Sequence, residues 1–298
     1  MSKKTILVTG SAGFIGRSCM SAWKDKYRLI GIDNLVGVRS FAPPEGEYEF
    51  FCADVRNIKS LPLPKVDAVV HLAAQTAVTL SESSPSADYT NNIEATMRLI
   101  EWASDTPIIY ASTNKVYGEL VGVDTPIDIH KPIEPKTPYG VTKASADLLI
   151  QEVAPRGVSI RQSCIYGELQ RGSEDQGWVS HLLSMNKPNG AFMIYGDGNQ
   201  VRDLLHVKDL IKLYDVLLRK MMYGWLPQPR YLVVGGGEKN ALTINEALEL
   251  VSFAGKTTSG EMREKDQMYF VSANENTTSW RPIIDARKWL LKQVVELV

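Results

Sequence analysis

Short runs of adjacent apolar residues recur along the chain, separated by intervals of helical length. They cover Thr5 to Thr9, Tyr27 to Ile32, Glu49 to Ala53, Ala68 to Ala74, Ile108 to Ser112 and Val158 to Gln162. This alternation predicts βαβ units and a parallel sheet. Several runs are apolar at neighbouring positions rather than at every second one, as expected of strands covered by helices on both faces. The expected fold class is therefore α/β, a Rossmann-type doubly wound parallel sheet with a smaller C-terminal lobe. Past Cys164 the pattern loosens into stretches rich in Gly, Pro, Asn and Trp, with helices predicted from Val207 to Met222 and around Ile244 to Phe253. Residues 1–165 are read as a cofactor-binding domain and 166–298 as a substrate lobe, with later elements free to return to the first domain.

Composition narrows the function classes. Of 298 residues, 44% are hydrophobic and 22% charged, so the chain can bury a core and is not read as disordered. A formal charge of -1 supplies no general basic field, which argues against nucleic acid or a membrane surface as partner. Cys19, Cys52 and Cys164 are scattered, with no CxxC pair and no clustered His, so neither a metal site nor a disulfide framework is expected. The apolar run Ile6-Leu7-Val8 ends at a glycine turn, too short for a signal sequence, and no segment approaches membrane-spanning length. A reducing, cytoplasmic setting follows as the expectation.

The first candidate site is Gly10-Ser11-Ala12-Gly13-Phe14-Ile15-Gly16, directly after the first strand and at the start of a helix. Glycines there permit a tight turn and close backbone approach, and a helix N-terminus can hold a pyrophosphate. Such a heptamer is a weak signal alone; its place between strand and helix is the context that gives it meaning. Asp33 ends the second strand, followed by Asn34. A carboxylate there accepts hydrogen bonds from ribose hydroxyls and repels a 2′-phosphate, favouring NAD over NADP. Against this stand a surface-turn reading of Asp33 and the nearby cation Arg39.

Thr137-Pro138-Tyr139-Gly140-Val141-Thr142-Lys143 reads as a helix start, with Thr137 as N-cap and Pro138 at the first helical position. Tyr139 and Lys143 then share a face. For a tyrosine to act as base near neutrality, its pKa must fall from about 10 towards 7, roughly 4 kcal/mol of preference for the phenolate. A cation about 4 Å away at an effective dielectric near 20 supplies roughly that much before desolvation. Tyr and Lys four residues apart are common on solvated helices. What selects the chemical reading is the company of the glycine loop, Asp33 and Thr113, which closes the strand before this helix and can steady a reacting hydroxyl.

With those strings, HLAAQ from His71, STNKVYG from Ser112 and GDGNQVRDLLHVKD from Gly196, nearly the whole chain resembles the extended short-chain dehydrogenase/reductases. The resemblance implies an NAD-dependent enzyme with Thr113, Tyr139 and Lys143 as its catalytic group. It implies adenine contacts from Asp54 and Val55, a cofactor lining of Leu72, Ala73 and Ala74, and support from Asn92. It also implies that the later lobe grips a nucleotide sugar, with Arg202, and Arg263 of Arg-x-x-Asp266-Gln267, meeting its phosphates; a forked guanidinium suits that task. An ordinary surface role for either arginine stays open. The helices around Asn91 to Ala103 and Pro138 to Val153 resemble those through which family members pair, implying a homodimer or larger homo-oligomer.

Members that eliminate water carry an acid and a base directly after the catalytic Thr. Asn114 and Lys115 stand there, which disfavours dehydration. Thr113 to Gly118, Arg161 to Gly167 and Glu174 to Trp178 are similar to the CDP-paratose 2-epimerases, or CDP-tyvelose epimerases, implying inversion at sugar C2 by transient oxidation. Gln75, Asn114, Asp175, Gln176 and Trp178 are candidates to shape the sugar pocket. Departures exist: Cys164 and Ile165 replace a substrate Asn found in many members, and the segment between Gly118 and Tyr139 is short. Three alternatives stay open: a UDP-hexose 4-epimerase, an NADPH-dependent keto-sugar reductase, and a redox-sensing regulator that binds dinucleotide without catalysis.

Overall fold

The computed structural model describes residues 3–37, 48–275 and 278–295. Six strands form in chain order, β1 (Thr5–Thr9), β2 (Arg28–Asp33), β3 (Glu49–Cys52), β4 (Ala68–His71), β5 (Ile108–Thr113) and β6 (Gly157–Gln162). Helix α1 (Phe14–Trp23) links β1 to β2. Between β4 and β5 run α2 (Val78–Ser83), α3 (Pro85–Tyr89) and α4 (Ala95–Ala103), with a π turn over Thr90–Glu94 joining the last two without a break. Helix α5 (Pro138–Glu152) links β5 to β6.

Further on come β7 (Cys164–Tyr166), α6 (Trp178–Met185), β8 (Ala191–Tyr195), β9 (Val201–His206), α7 (Val207–Met222) and β10 (Tyr231–Val234). The chain closes with β11 (Ala241–Leu242), α8 (Ile244–Leu250), β12 (Lys256–Gly260), β13 (Tyr269–Phe270) and α9 (Ala286–Val295).

The main sheet has the order β10-β6-β5-β4-β1-β2-β3, and every pairing in it is parallel. Strand order reverses direction at β1, so the crevice between β1 and β4 at their carboxyl ends is where a ligand fits. Alternate side chains of β1 feed opposite layers: Ile6 and Val8 join Met20, Trp23, Leu213 and Leu217 under α1 and α7, whereas Leu7 joins Leu99, Ile100 and Ile150 under α4 and α5. Both layers being filled explains why the strand reads as continuously apolar.

Residues beyond 165 serve two layers. Strand β10 extends the main sheet by pairing with β6, and α7 packs in the same cluster as α1. The rest builds a smaller lobe in which β9 pairs with β7, β11 and β13 and β8 pairs with β12, over a core including Tyr166, Leu182, Phe192, Leu204, Leu248 and Leu290.

Candidate active site

At the β1 end, the turn after Thr9 is built on glycine. Gly10 has φ +69, and a Cβ there would meet Ala73 N at 2.7 Å. A Cβ on Gly16 would overlap the Gly10 carbonyl oxygen, so helix α1 can begin this close to the loop only without a side chain. Gly13 is the N-cap of α1, no side chain caps that end and no acid stands in the first turn. Its free N–H groups and dipole fit a pyrophosphate. Asp33 is buried at the end of β2, where Oδ2 accepts from Ala12 N at 2.9 Å and Oδ1 from Leu35 N at 2.8 Å. Those bonds aim the carboxylate beside the glycine turn with lone pairs left for ribose hydroxyls.

Asn34 Nδ2 lies 3.5 Å from Asp54 Oδ2, and Asp54 holds Arg56 by a two-point ion pair that keeps its carboxyl below the usual range. Val55 is buried beside it, and the Leu72–Ala73 backbone lies directly against Gly10, with Ala74 next in the chain. The structure brings the glycine turn, Asp33 and the Leu72–Ala73 backbone side by side, while Phe14, Ile15 and Leu72 pack against the core and Asn92 acts through Gln75. Arg39 lies outside the described residues.

Tyr139 and Lys143 occupy the first turns of α5. Thr137 caps that helix by accepting from Gly140 N at 3.1 Å, and Pro138 opens it. Lys143 Nζ donates to Ala111 O at 2.6 Å and sits 4.1 Å above the centre of the Tyr110 ring. Burial pushes its ammonium down to about 7, against the opposing pull of Asp147 and Asp88. Burial likewise pushes the Tyr139 phenol up to about 12, with hydrogen bonding from Thr113 working the other way.

The expectation of a lowered phenol is therefore corrected for the protein alone. Desolvation outweighs the Thr113 hydrogen bond, and the nearby Asp88 carboxylate opposes the phenolate as well. A positively charged nicotinamide is the additional charge that would restore a low phenol, and the residues present fit that group.

Beneath the site lies a buried polar chain. Thr96 Oγ1 donates to Asn92 O at 2.6 Å, so it can only accept from His71 Nε2 at 3.1 Å; His71 Nδ1 then accepts from Thr9 Oγ1 at 2.6 Å. Burial, then the Lys143 charge, lowers this imidazole to about 3, and it stays neutral. Asn92, in the π turn, clamps Gln75 by accepting from its backbone N at 2.8 Å and donating to its O at 3.2 Å. It also donates to Thr142 Oγ1 at 3.1 Å, and Thr142 in turn hydrogen-bonds Asp88. Asp88 is fully buried, and burial raises its carboxyl. This network fixes the start of α5 against the segment after β4.

On the substrate side, Arg202 from β9 and Lys115 each reach Asp266 Oδ1 at 3.2 Å. Burial, then the neighbouring guanidinium, lowers Lys115, while the two cations outweigh burial and hold Asp266 below its usual range. Two cations on one carboxylate leave one positive charge for an anion. Arg263 stands apart: it donates to Glu174 O at 3.1 Å, lies 3.7 Å from Asp175 and stacks 3.9 Å from the Tyr195 ring centre. Gln176 hydrogen-bonds Thr76, so the 174–177 turn reaches across to the segment after β4.

Two expected pocket residues do not present their amides to the crevice. Gln75 donates to Asp88 Oδ1 at 2.7 Å and Ala77 O at 2.8 Å and accepts from Ala77 N, and Asn114 donates to Gln267 at 2.9 Å. Buried amides must be satisfied, and these find protein partners. Trp178 packs in the small-lobe core, as a tryptophan beside a glycine more often does.

Sequence reasoning missed His71, Asp88, Thr142, Lys115 as an ion-pair member, and Gln267. Their signal was present but local: Thr142 lies between Tyr139 and Lys143, and Gln267 ends the string read for Arg263.

A doubly wound sheet, an open helix N-terminus over a glycine turn and a buried Thr-Tyr-Lys group at the strand ends define a dinucleotide-dependent α/β enzyme. The model of the NAD dependent epimerase/dehydratase family matches residues 6–231, and the chain belongs to that family. Its cofactor is NAD. It is 31% identical to the CDP-paratose 2-epimerase of Salmonella typhi over 96% of this chain and 97% of that one. Identity to a putative UDP-glucose 4-epimerase of Methanocaldococcus jannaschii is 29%, over 97% of each. Among solved structures it is similar to a UDP-N-acetylglucosamine 4-epimerase from Methanobrevibacter ruminantium, with TM-score 0.83, 24% identity and coverage of 100% of this chain and 99% of that one. No helix among the described residues is long and apolar enough to cross a membrane, and no group of three metal-ligating side chains occurs among them.

Proposed function

We propose that this chain is an NAD-dependent nucleotide-sugar epimerase of the CDP-paratose 2-epimerase kind. The observation that carries the reading is the buried Thr113, Tyr139 and Lys143 group followed by Asn114 and Lys115, where water-eliminating members have two carboxyl groups. Asn114 is fixed to Gln267 and Lys115 to Asp266, so neither serves as the acid and base that expel a hydroxyl. A C2 proton with no adjacent carbonyl is not acidic, and inversion there requires oxidation first. NAD, when bound, supplies the hydride acceptor and, once reduced, the donor. Tyr139, as phenolate, takes the proton of the sugar hydroxyl, giving a ketone as C–H and O–H are both lost. Thr113 holds the reacting oxygen, and Lys143 supports the phenolate by charge. After the keto sugar turns over, Tyr139 returns the proton and the opposite face is reduced.

Arg202, with Lys115 sharing its counter-ion, neutralises the diphosphate in this reading, and Arg263 with Asp175 and Gln176 borders the sugar. The similarity to a putative UDP-glucose 4-epimerase favours one competing reading, inversion at C4. Turnover of CDP-, UDP-, GDP- and dTDP-sugars followed by NMR separates them. Inversion at C2 of a CDP-sugar is expected; inversion at C4 of a UDP-hexose, net loss of water, or net consumption of reduced cofactor would each replace the proposal.

We also place the enzyme in a reducing, cytoplasmic setting, supported by three free cysteines, one of them exposed. A homodimer is proposed through α5 and its neighbours. Val141 and Leu148, seven residues apart on α5, are 47% and 45% exposed, and Tyr89 and Val153 are exposed as well. Light scattering should show a dimer for the natural chain and a monomer for Leu148→Glu; a monomeric natural chain sinks the assignment.

A further inference from the structure

One buried hydrogen-bond path joins the small lobe to the catalytic threonine, and its direction can be worked out atom by atom. Gln267 is fully buried, and its Nε2 donates to two backbone carbonyls, Asn114 O at 3.1 Å and Gly118 O at 2.9 Å. Carbonyls only accept, so the amide cannot be flipped, and Gln267 Oε1 must face Asn114. It accepts there from Asn114 Nδ2 at 2.9 Å. The orientation of Asn114 is fixed in turn, leaving its Oδ1 towards Thr113 Oγ1 at 3.2 Å. An amide oxygen has no proton to give, so Thr113 is the donor. Lys115 N donates to the same hydroxyl at 3.2 Å. Thr113 has one proton, and this geometry commits it to Asn114, so the downward pull of Thr113 on the Tyr139 phenol comes fully into play only when that bond is released.

We propose that Gln267 and Asn114 are positioning residues that set the polarity of the Thr113 hydroxyl, presenting it to the reacting groups as a hydrogen-bond acceptor. The inference rests on the assignment of Thr113 and Tyr139 as catalytic. Held this way, Thr113 accepts from the neutral phenol or from the sugar hydroxyl and does not donate to the phenolate. Asn114 thereby gains a task other than the sugar contact expected from its place in the sequence. The lock also ties Thr113 to residues 266 and 267, whose backbone N–H at Gln267 donates to Asp266 at 2.8 Å.

Tyr139 is titrated by NMR in NAD-bound protein carrying ring-labelled tyrosine, with its signal assigned by loss in Tyr139→Phe. No sugar is present, so a failed epimerase assay leaves the result intact. Asn114→Leu removes the acceptor, and Gln267→Leu lets the Asn114 amide turn its N–H to Thr113, so either frees the Thr113 proton to donate to the phenolate. Since a charged acceptor holds a hydrogen bond strongly, each should lower the Tyr139 titration by about one pH unit. In a Thr113→Val background the Leu substitutions should have no effect, an outcome that simple loosening of the fold would not give. An unshifted titration in whichever Leu variant folds, or a shift that survives Thr113→Val, overturns the proposal.

Discussion

Tyr139→Phe is expected to lower turnover of the nucleotide sugar by about 10²–10⁴-fold, the usual worth of a placed acid–base group, while leaving NAD bound. Phe keeps the ring volume, so the buried packing at the start of α5 survives, and the backbone N–H of residue 139 still donates to Ser81 Oγ at 3.0 Å. What disappears is the one oxygen that can carry the sugar's proton. The protein alone holds that phenol at about 12 and the neighbouring ammonium at about 7, so the pair is far from a working base until a further positive charge arrives. The expected signature is thus a kcat loss with cofactor retained, read by mass spectrometry of the ligand released on denaturation. A fully active Phe variant would falsify the assigned role.

Gly16→Ala should weaken NAD binding by about 100-fold or more and cost about 1–3 kcal/mol of stability. The added methyl collides with the Gly10 carbonyl oxygen and Ser11 Cα, both backbone atoms that cannot rotate away. Either α1 retreats from the loop or the turn opens, and both move the N–H groups that would hold the pyrophosphate. About two lost or misaimed charge-assisted hydrogen bonds are enough for that affinity change. Calorimetric titration with NAD and a thermal melt read the two effects separately. Unchanged affinity in a stable variant would mean that the dinucleotide does not lie along this turn.

Much of this architecture was legible because burial on both faces of a parallel sheet leaves an unmistakable apolar run. The strands at Thr5, Ile108 and Gly157 lie within a residue of their expected bounds, and Val207 to Met222 forms the helix its pattern indicated. Short elements escaped: β11 and β13 have two residues each and draw their stability from β9, so their own sequence carries no period. The π turn at Thr90–Glu94 escaped too, since nothing in its composition separates it from an ordinary helix.

At the site, residue types tied to a local motif were readable: the glycine turn, Asp33, and the Tyr139–Lys143 pair. Polar partners from distant segments were not. Asn114 and Gln267 are far apart in sequence, and only folding reveals that their amides satisfy each other rather than a sugar. The depressed phenol was expected from a pairwise charge argument that set desolvation aside, and burial penalises both members at once.

Because the Tyr231–Val234 strand docks beside Gly157–Gln162 and the Val207–Met222 helix packs next to Phe14–Trp23 over the sheet, the amino-terminal half is no detachable cassette. Severing the polypeptide at 165 would uncover a row of unpaired strand amides and the apolar underside of Trp23 and Met20. Grafting a relative's tail to change sugar preference would therefore swap structural beams along with recognition loops. The exchangeable piece is shorter: the turn around 174–177, which runs into the start of the Trp178–Met185 helix within an unaltered frame.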